Sequence, residues 1–133
     1  PAPPPSPTQL PARPAESVRV ALDHTKLDVY HCALDLLDLV DLIHEAMPAG
    51  RAHLKDQLDR AATSVVLNTV EGAGEFSREE KQRFYRIARR SATETAAILD
   101  ILERRKAVPL ATLTPAREML VRVVSMLARL AGA

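Results

Sequence analysis

Few residues in this chain have the type and spacing that chemistry needs, and most of them fall on two segments. In the first, the apolar helical line of Leu54, Leu58, Ala61 and Val65 runs into Asn68 and Gly72, with Arg60, Ser64 and Glu71 close by in sequence. In the second, Ser91 and Glu94 interrupt an otherwise apolar line of Phe84, Ile87, Ile98 and Ile101 at heptad steps. A carboxylate drawn into a helical core is costly unless it is paired or hydrogen-bonded. Asn68, Ser91, Arg60 and Arg90 are the candidate donors for Glu94. Two readings stand. Arg60, Ser64, Asn68, Glu71, Ser91 and Glu94 form a satisfied buried polar layer that fixes helix register, or a small shift of helix phase leaves Glu94 at the bundle edge. A catalytic carboxylate would need a partner and a cleft as well, and the sequence supplies no evident partner.

Other chemistries fail on spacing. Asp28-x-x-His31 and Asp41-x-x-His44 resemble half of a di-metal carboxylate site, but such sites draw their Glu-x-x-His pairs from different helices. Here both pairs lie on one predicted helix. At ~100° per residue, His31 and His44 point to roughly opposite faces, and His24 and His53 fall in connecting segments. Cys32 adjoins His31, yet neighbouring helical residues do not face each other, so Cys32 reads as a small packing residue. Gly72-Ala73-Gly74 follows a helix and reads as its stop, not as a phosphate cradle between strand and helix. No catalytic, metal or cofactor site is expected.

Charge is segregated. Asp28, Asp35, Asp38, Asp41 and Glu45 make the first helix acidic, whereas Arg83, Arg86, Arg89 and Arg90 make the opening half of the third basic. Arg83, Arg86 and Arg90 recur at helical spacing and line one face. That face has three readings: a solvated surface, a subunit contact in which the acidic helix of one copy meets the basic helix of the next, or a track for RNA or DNA phosphates. Stacking platforms are scarce for the last of these, since Phe84 and Tyr85 are the nearby aromatics and Phe84 is expected in the core.

The elements that position these groups are helices. The chain has 133 residues, 47% of them apolar, 3% aromatic, with no Trp and a formal net charge of +1. Aliphatic residues mixed with Ala and charge suit packed helices better than sheets. Leu27, Tyr30, Leu34, Leu37 and Val40 form one stripe, with Leu36, Leu39 and Ile43 widening it, and predict a helix over 28–45. Met47-Pro48-Ala49-Gly50 ends it. Leu54, Leu58, Ala61 and Val65 predict a second over 52–71, stopped by Gly72 and Gly74. Ser77-Arg78-Glu79-Glu80 has the form of a capping box and opens a third that reaches about residue 106, with Arg104, Arg105 and Lys106 at the negative end of its dipole. Thr114 as N-cap and Pro115 at the first position open a fourth, carrying Leu120, Val123, Leu127 and Leu130 to about residue 131.

Short links place sequential helices antiparallel, so the expected fold is all-α, an up-down-up-down four-helix bundle over 18–133. Ahead of it, seven prolines among the first fourteen residues predict a disordered proline-rich tail over 1–17, one that serves as a spacer or as a ligand for a partner's aromatic groove. No run approaches the ~18 apolar residues of a membrane span, no secretory signal pattern opens the chain, and the lone Cys32 suits a reducing compartment. A cytoplasmic protein without membrane attachment is expected.

Arg60-Ala61-x-x-Ser64-x-x-x-Asn68-x-x-Glu71-Gly72 resembles the hallmark of the four-helix-bundle proteins first noticed as reading frames in intervening sequences of bacterial large-subunit ribosomal RNA. Phe84 to Glu94 looks like the second hallmark of that family, and Leu27-Asp28-Val29-Tyr30 is similar to its first-helix entry. The resemblance covers about residues 27–102. It implies a bundle that assembles into a ring, typically a homopentamer, with no known enzyme activity and no cofactor. A related branch, the accessory proteins of diversity-generating retroelements, binds nucleic acid and is strongly basic, unlike this chain. The expected function is therefore a non-enzymatic self-assembling scaffold or adaptor, whose partners are its own copies and a further protein. RNA or DNA binding through the arginine face is the alternative. Val29, Leu36 and Val66 are expected on outer faces as subunit contacts.

Overall fold

A computed structural model describes residues 22–132, and the proline-rich segment expected over 1–17 lies outside them. After a single 3-10 turn at Asp23–Lys26, four α-helices follow: α1 (Asp28–Ala46), α2 (Ala52–Gly74), α3 (Arg78–Arg104) and α4 (Leu110–Leu130). No strand is present among the described residues. Each helix packs against the next, α4 returns to α1, and the diagonal pairs do not touch. This is the up-down-up-down bundle that short connections require.

The core is aliphatic. Leu36, Ile43, Leu58, Leu99, Leu102, Leu113 and Leu127 are wholly buried, each contributing roughly 1.5–3 kcal/mol by leaving water. Cys32 is free and buried among them. The stripe of Leu54, Leu58, Ala61 and Val65 faces inward on α2, as do Leu120, Val123 and Leu127 on α4. Val29, Leu36 and Val66 are core residues at 1%, 0% and 8% exposure, which corrects the expectation that they lie outside. The outward large aliphatics among the described residues are instead Leu22, Leu42, Leu67, Ile101, Leu110 and Val121.

The tightest approach joins α2 to α3. A Cβ on Gly72 would lie 2.6 Å from Cε1 of Tyr85, so the Tyr85 ring occupies the volume a side chain would need. Gly72 is thus an interior residue of α2, which runs on to Gly74, and not its stop. Lys81 then donates from Nζ to the carbonyls of Gly72 (3.3 Å) and Ala73 (2.9 Å), closing the negative end of α2 with a cation. Ser77 caps α3 as its sequence indicates, its Oγ accepting from the Glu80 amide at 3.1 Å.

Tyr85 sets the phase of α3. The buried line is Tyr85, Ala88, Ala92, Thr95, Leu99 and Leu102, with Ser91 and Ile98 at its side. It lies one residue off the expected Phe84 seam, and Phe84 is only half-buried. At its far end α3 stops at Arg104, and Lys106 takes the left-handed conformation (φ 53). The Ala107 amide bonds Leu102 O and the Lys106 amide bonds Glu103 O, the paired closure of a Schellman turn. The fourth helix begins at Leu110, earlier than Thr114, so Pro115 lies inside it. Full burial of Leu113 holds that extra turn, and the Thr114 hydroxyl bonds Leu110 O at 2.9 Å.

Arg117 of α4 clamps α3 by donating to Asp100 and Glu103, each at 2.9 Å. That guanidinium, by hydrogen bonding first and charge second, holds the Glu103 carboxyl below its ordinary range.

Two outcomes follow from this packing. Gly72→Ala should lower stability by roughly 1–3 kcal/mol, the usual cost of overpacking, read from the urea midpoint, while Gly74→Ala, whose Cβ meets nothing within 4 Å, should not. In an NMR titration Glu103 should ionise at lower pH than a free Glu. Because its folded pKa is depressed, its contribution exists above the unfolded value and fades as pH falls through the folded one. Arg117→Ala should return Glu103 to the ordinary range.

Candidate functional site

Ser64 on α2 and Ser91 on α3 meet across the helix pair, Oγ to Oγ at 2.8 Å. Asn68 Nδ2 donates to both the carbonyl and the hydroxyl of Ser64, each at 2.9 Å. The Ser64 oxygen accepts from the amide and shares a further hydrogen bond with the Ser91 hydroxyl, in which either serine can donate, so Asn68, Ser64 and Ser91 are linked in one chain. Ser91 is buried, while Ser64 and Asn68 are half-buried. This contact forms the floor of a shallow groove of ≈ 250 Å³ lined by Gln57, Arg60, Ala61, Ser64, Ser91 and Glu94.

The structure brings Arg60, Ser64, Ser91 and Glu94 to one groove but does not bury them as one layer. Arg60, Glu71 and Glu94 are exposed, which corrects the reading of all six as a buried polar layer. The cause is the phase of α3: once Tyr85 faces inward, Glu94 turns to the rim. The polar groups that are fully enclosed escaped the sequence reading. Thr69 and Thr95 have no exposure, and each hydroxyl bonds the carbonyl four residues back, to Val65 O at 2.7 Å and Ser91 O at 2.8 Å. Back-bonding satisfies such a hydroxyl inside its own helix, and a Thr in an apolar stripe is the signal that marks it.

Among the described residues neither serine hydroxyl is hydrogen-bonded to an imidazole or a carboxylate, so no base stands ready to take a proton. Three or more His, Cys, Asp and Glu side chains do not gather as metal ligands among the described residues. His31 Nε2 lies 2.9 Å from the Thr25 carbonyl, and the His44 Nε2 is enclosed without a partner.

The second candidate is the arginine face. Arg83, Arg86 and Arg90 are exposed and Arg89 is half-buried. Together with Ile87 they line a cavity of ≈ 450 Å³. Glu80 pairs with Arg83 at 3.0 Å, and the Arg83 guanidinium sits 4.4 Å above the Phe84 ring. Arg86, Arg89 and Arg90 have no ion pair among the described residues. Phe76, in the turn between α2 and α3, is 100% exposed, and the sequence reading passed over it.

The fold and both sites define an all-α bundle whose two candidate sites open at its surface. No described helix is long and apolar enough to cross a membrane. Residues 25–129 match the family model described as 23S rRNA-intervening sequence protein, and the chain belongs to that family. No curated protein matches the chain.

Substitution separates the two placements of Glu94. Glu94→Gln should change stability by no more than about 0.5 kcal/mol, as surface changes do, and Ser91→Ala should cost about 1 kcal/mol through the lost buried hydrogen bond. A large loss in Glu94→Gln, seen by chemical denaturation, would mean a buried, paired carboxylate after all.

Proposed function

We propose that this protein is a non-enzymatic scaffold that assembles from its own copies, in a ring of five as the family resemblance leads us to expect, and presents the assembled surface to a protein partner in the cytoplasm. The observation that carries the reading is the set of large aliphatic side chains standing in solvent around a core that is complete without them. Leu42, Leu67, Ile101, Leu110 and Val121 are 54%, 57%, 39%, 56% and 68% exposed, and they are spread over all four helices. Scattered apolar exposure is ordinary, but here it accompanies unpaired charged faces, a combination that suits contacts between subunits.

A second reading rests on Phe76. A fully exposed aromatic ring close in sequence to Arg83 and Arg86 supplies the stacking group that a single-stranded RNA or DNA would use beside a phosphate track. In that reading the chain is a nucleic-acid-binding accessory protein.

Mass in solution by multi-angle light scattering, with and without a generic single-stranded RNA, tests both. The scaffold reading expects a multiple of the 14.6 kDa chain that RNA leaves unchanged. A monomer, or a species that gains mass only with RNA and loses it steeply as salt rises, would overturn it.

A further inference from the structure

Helices α1 and α3 occupy diagonal corners of the bundle, since each packs against α2 and α4 and not against the other. Their outer faces therefore look away from each other, and they carry opposite charge. On α1, Asp35, Asp38, Asp41 and Glu45 are all exposed, and none has an ion pair among the described residues. On α3, Arg86 and Arg90 stand exposed and equally unpaired beside the Ile87-floored cavity. Within one chain these faces cannot meet. Between two chains they can.

The spacing matches. Asp38, Asp41 and Glu45 follow one another at steps of three and four, and so do Arg83, Arg86 and Arg90 in the same order. On an α-helix each triple forms a stripe about 10 Å long on one face. Laid parallel, the two stripes bring an acid to an arginine three times in one register, whereas laid antiparallel the steps reverse and the middle pair falls out of line. Leu42, 54% exposed beside Asp41, and the half-buried Ile87 beside Arg86 give each stripe an apolar flank. Arg83 already holds Glu80, so Arg86 and Arg90 are the free cations of the contact.

We infer that the acidic outer face of α1 in one copy docks along the arginine face of α3 in the next, a head-to-tail contact between copies of this chain. The inference rests on the scaffold reading and names its contact. A patch that meets a different patch is heterologous, and repetition of such a contact yields a closed ring or an open filament according to the rotation between copies. The structure also constrains the form. The acidic stripe lies in the second half of α1 and the arginine stripe in the first half of α3, and both helices run the same way. The two stripes thus stand toward opposite ends of the bundle as well as at opposite corners. Copies joined by them are stepped along the bundle axis, so a ring of this kind has its bundles inclined to the ring axis.

Charge reversal tests it, read by light scattering with helicity checked by circular dichroism. All substituted side chains are exposed and unpaired, so the fold should survive. Asp41→Lys with Glu45→Lys should reduce the assembly to monomers, and Arg86→Glu with Arg90→Glu, at the two positions opposite them in this register, should do the same. The chain carrying all four changes has a complementary pair of faces again and should recover the wild-type mass. If the wild-type chain assembles and either double variant keeps that mass, or if the fourfold variant stays monomeric, the contact is wrong while the scaffold reading stands. A monomeric wild-type chain would instead overturn the scaffold reading and this contact with it.

Discussion

Tyr85 enters the space between α2 and α3 because position 72 has no side chain to fill it. A Cβ there would sit 2.6 Å from the ring, well inside contact distance, so the Gly72–Tyr85 approach admits no intermediate arrangement. An α-helix turns ~100° per residue, and it is stiff. Fixing Tyr85 inward therefore fixes the direction of every later side chain on α3. Ala88, Ala92, Thr95, Leu99 and Leu102 follow it into the core, Ser91 meets Ser64, and Glu94, Arg86 and Arg90 turn outward. Both candidate sites depend on that one close contact. Burial also raises the Tyr85 hydroxyl above its ordinary pKa.

The same helix pair shows how polar groups are accommodated near a dry interface. Ala61, Ala62, Ala88 and Ala92 keep the surfaces low, and low surfaces let backbones approach. Close backbones leave little room for water, so each hydroxyl there must find a protein partner. Thr69 and Thr95 find theirs within their own helices, and the two serines find each other. Lys81 crosses the turn to the last carbonyls of α2. On the opposite flank Arg117 ties α4 to two acids of α3. That bridge is solvent-facing, and its energy is correspondingly modest.

The helices themselves were legible because apolar periodicity survives any small error of phase. Leu54, Leu58, Ala61 and Val65 could face only one way, as could Leu120, Val123 and Leu127. The phase of α3 was not legible. Phe84, Ile87, Ile98 and Ile101 form as apolar a line as Tyr85, Ala88, Leu99 and Leu102, and hydropathy favours Phe over Tyr. What decides between them is a glycine thirteen residues earlier in the chain, a tertiary fact that no local pattern contains. Read locally, Gly72 is a helix stop; in the fold it is the site of close approach. The start of α4 was misplaced for a related reason. Pro115 is a strong first-turn signal, yet the gain from burying Leu113 exceeds the one backbone hydrogen bond that an interior proline removes. Lys106 in a left-handed conformation is a further case, since a glycine there would have announced the end of α3.

A formal charge of +1 conceals two faces that are each strongly charged, and their separation bears on function. A chain that binds nucleic acid gains from a net positive charge, because the polyanion attracts every copy and repels none of the site. A chain that docks on itself head to tail gains nothing from net charge, since whatever one face contributes its neighbour must match with the opposite sign. Near-neutrality with segregated faces is what the second case requires. The two uses also compete for the same side chains. With acids of a neighbouring α1 against Arg86 and Arg90, no phosphate can reach those guanidinium groups, and Phe76 at the α2–α3 turn is left as the part of that region still open to a partner. Assembly and nucleic-acid binding through this face are then alternatives for any one copy. An assembly that bound RNA there would have to open a contact to do so.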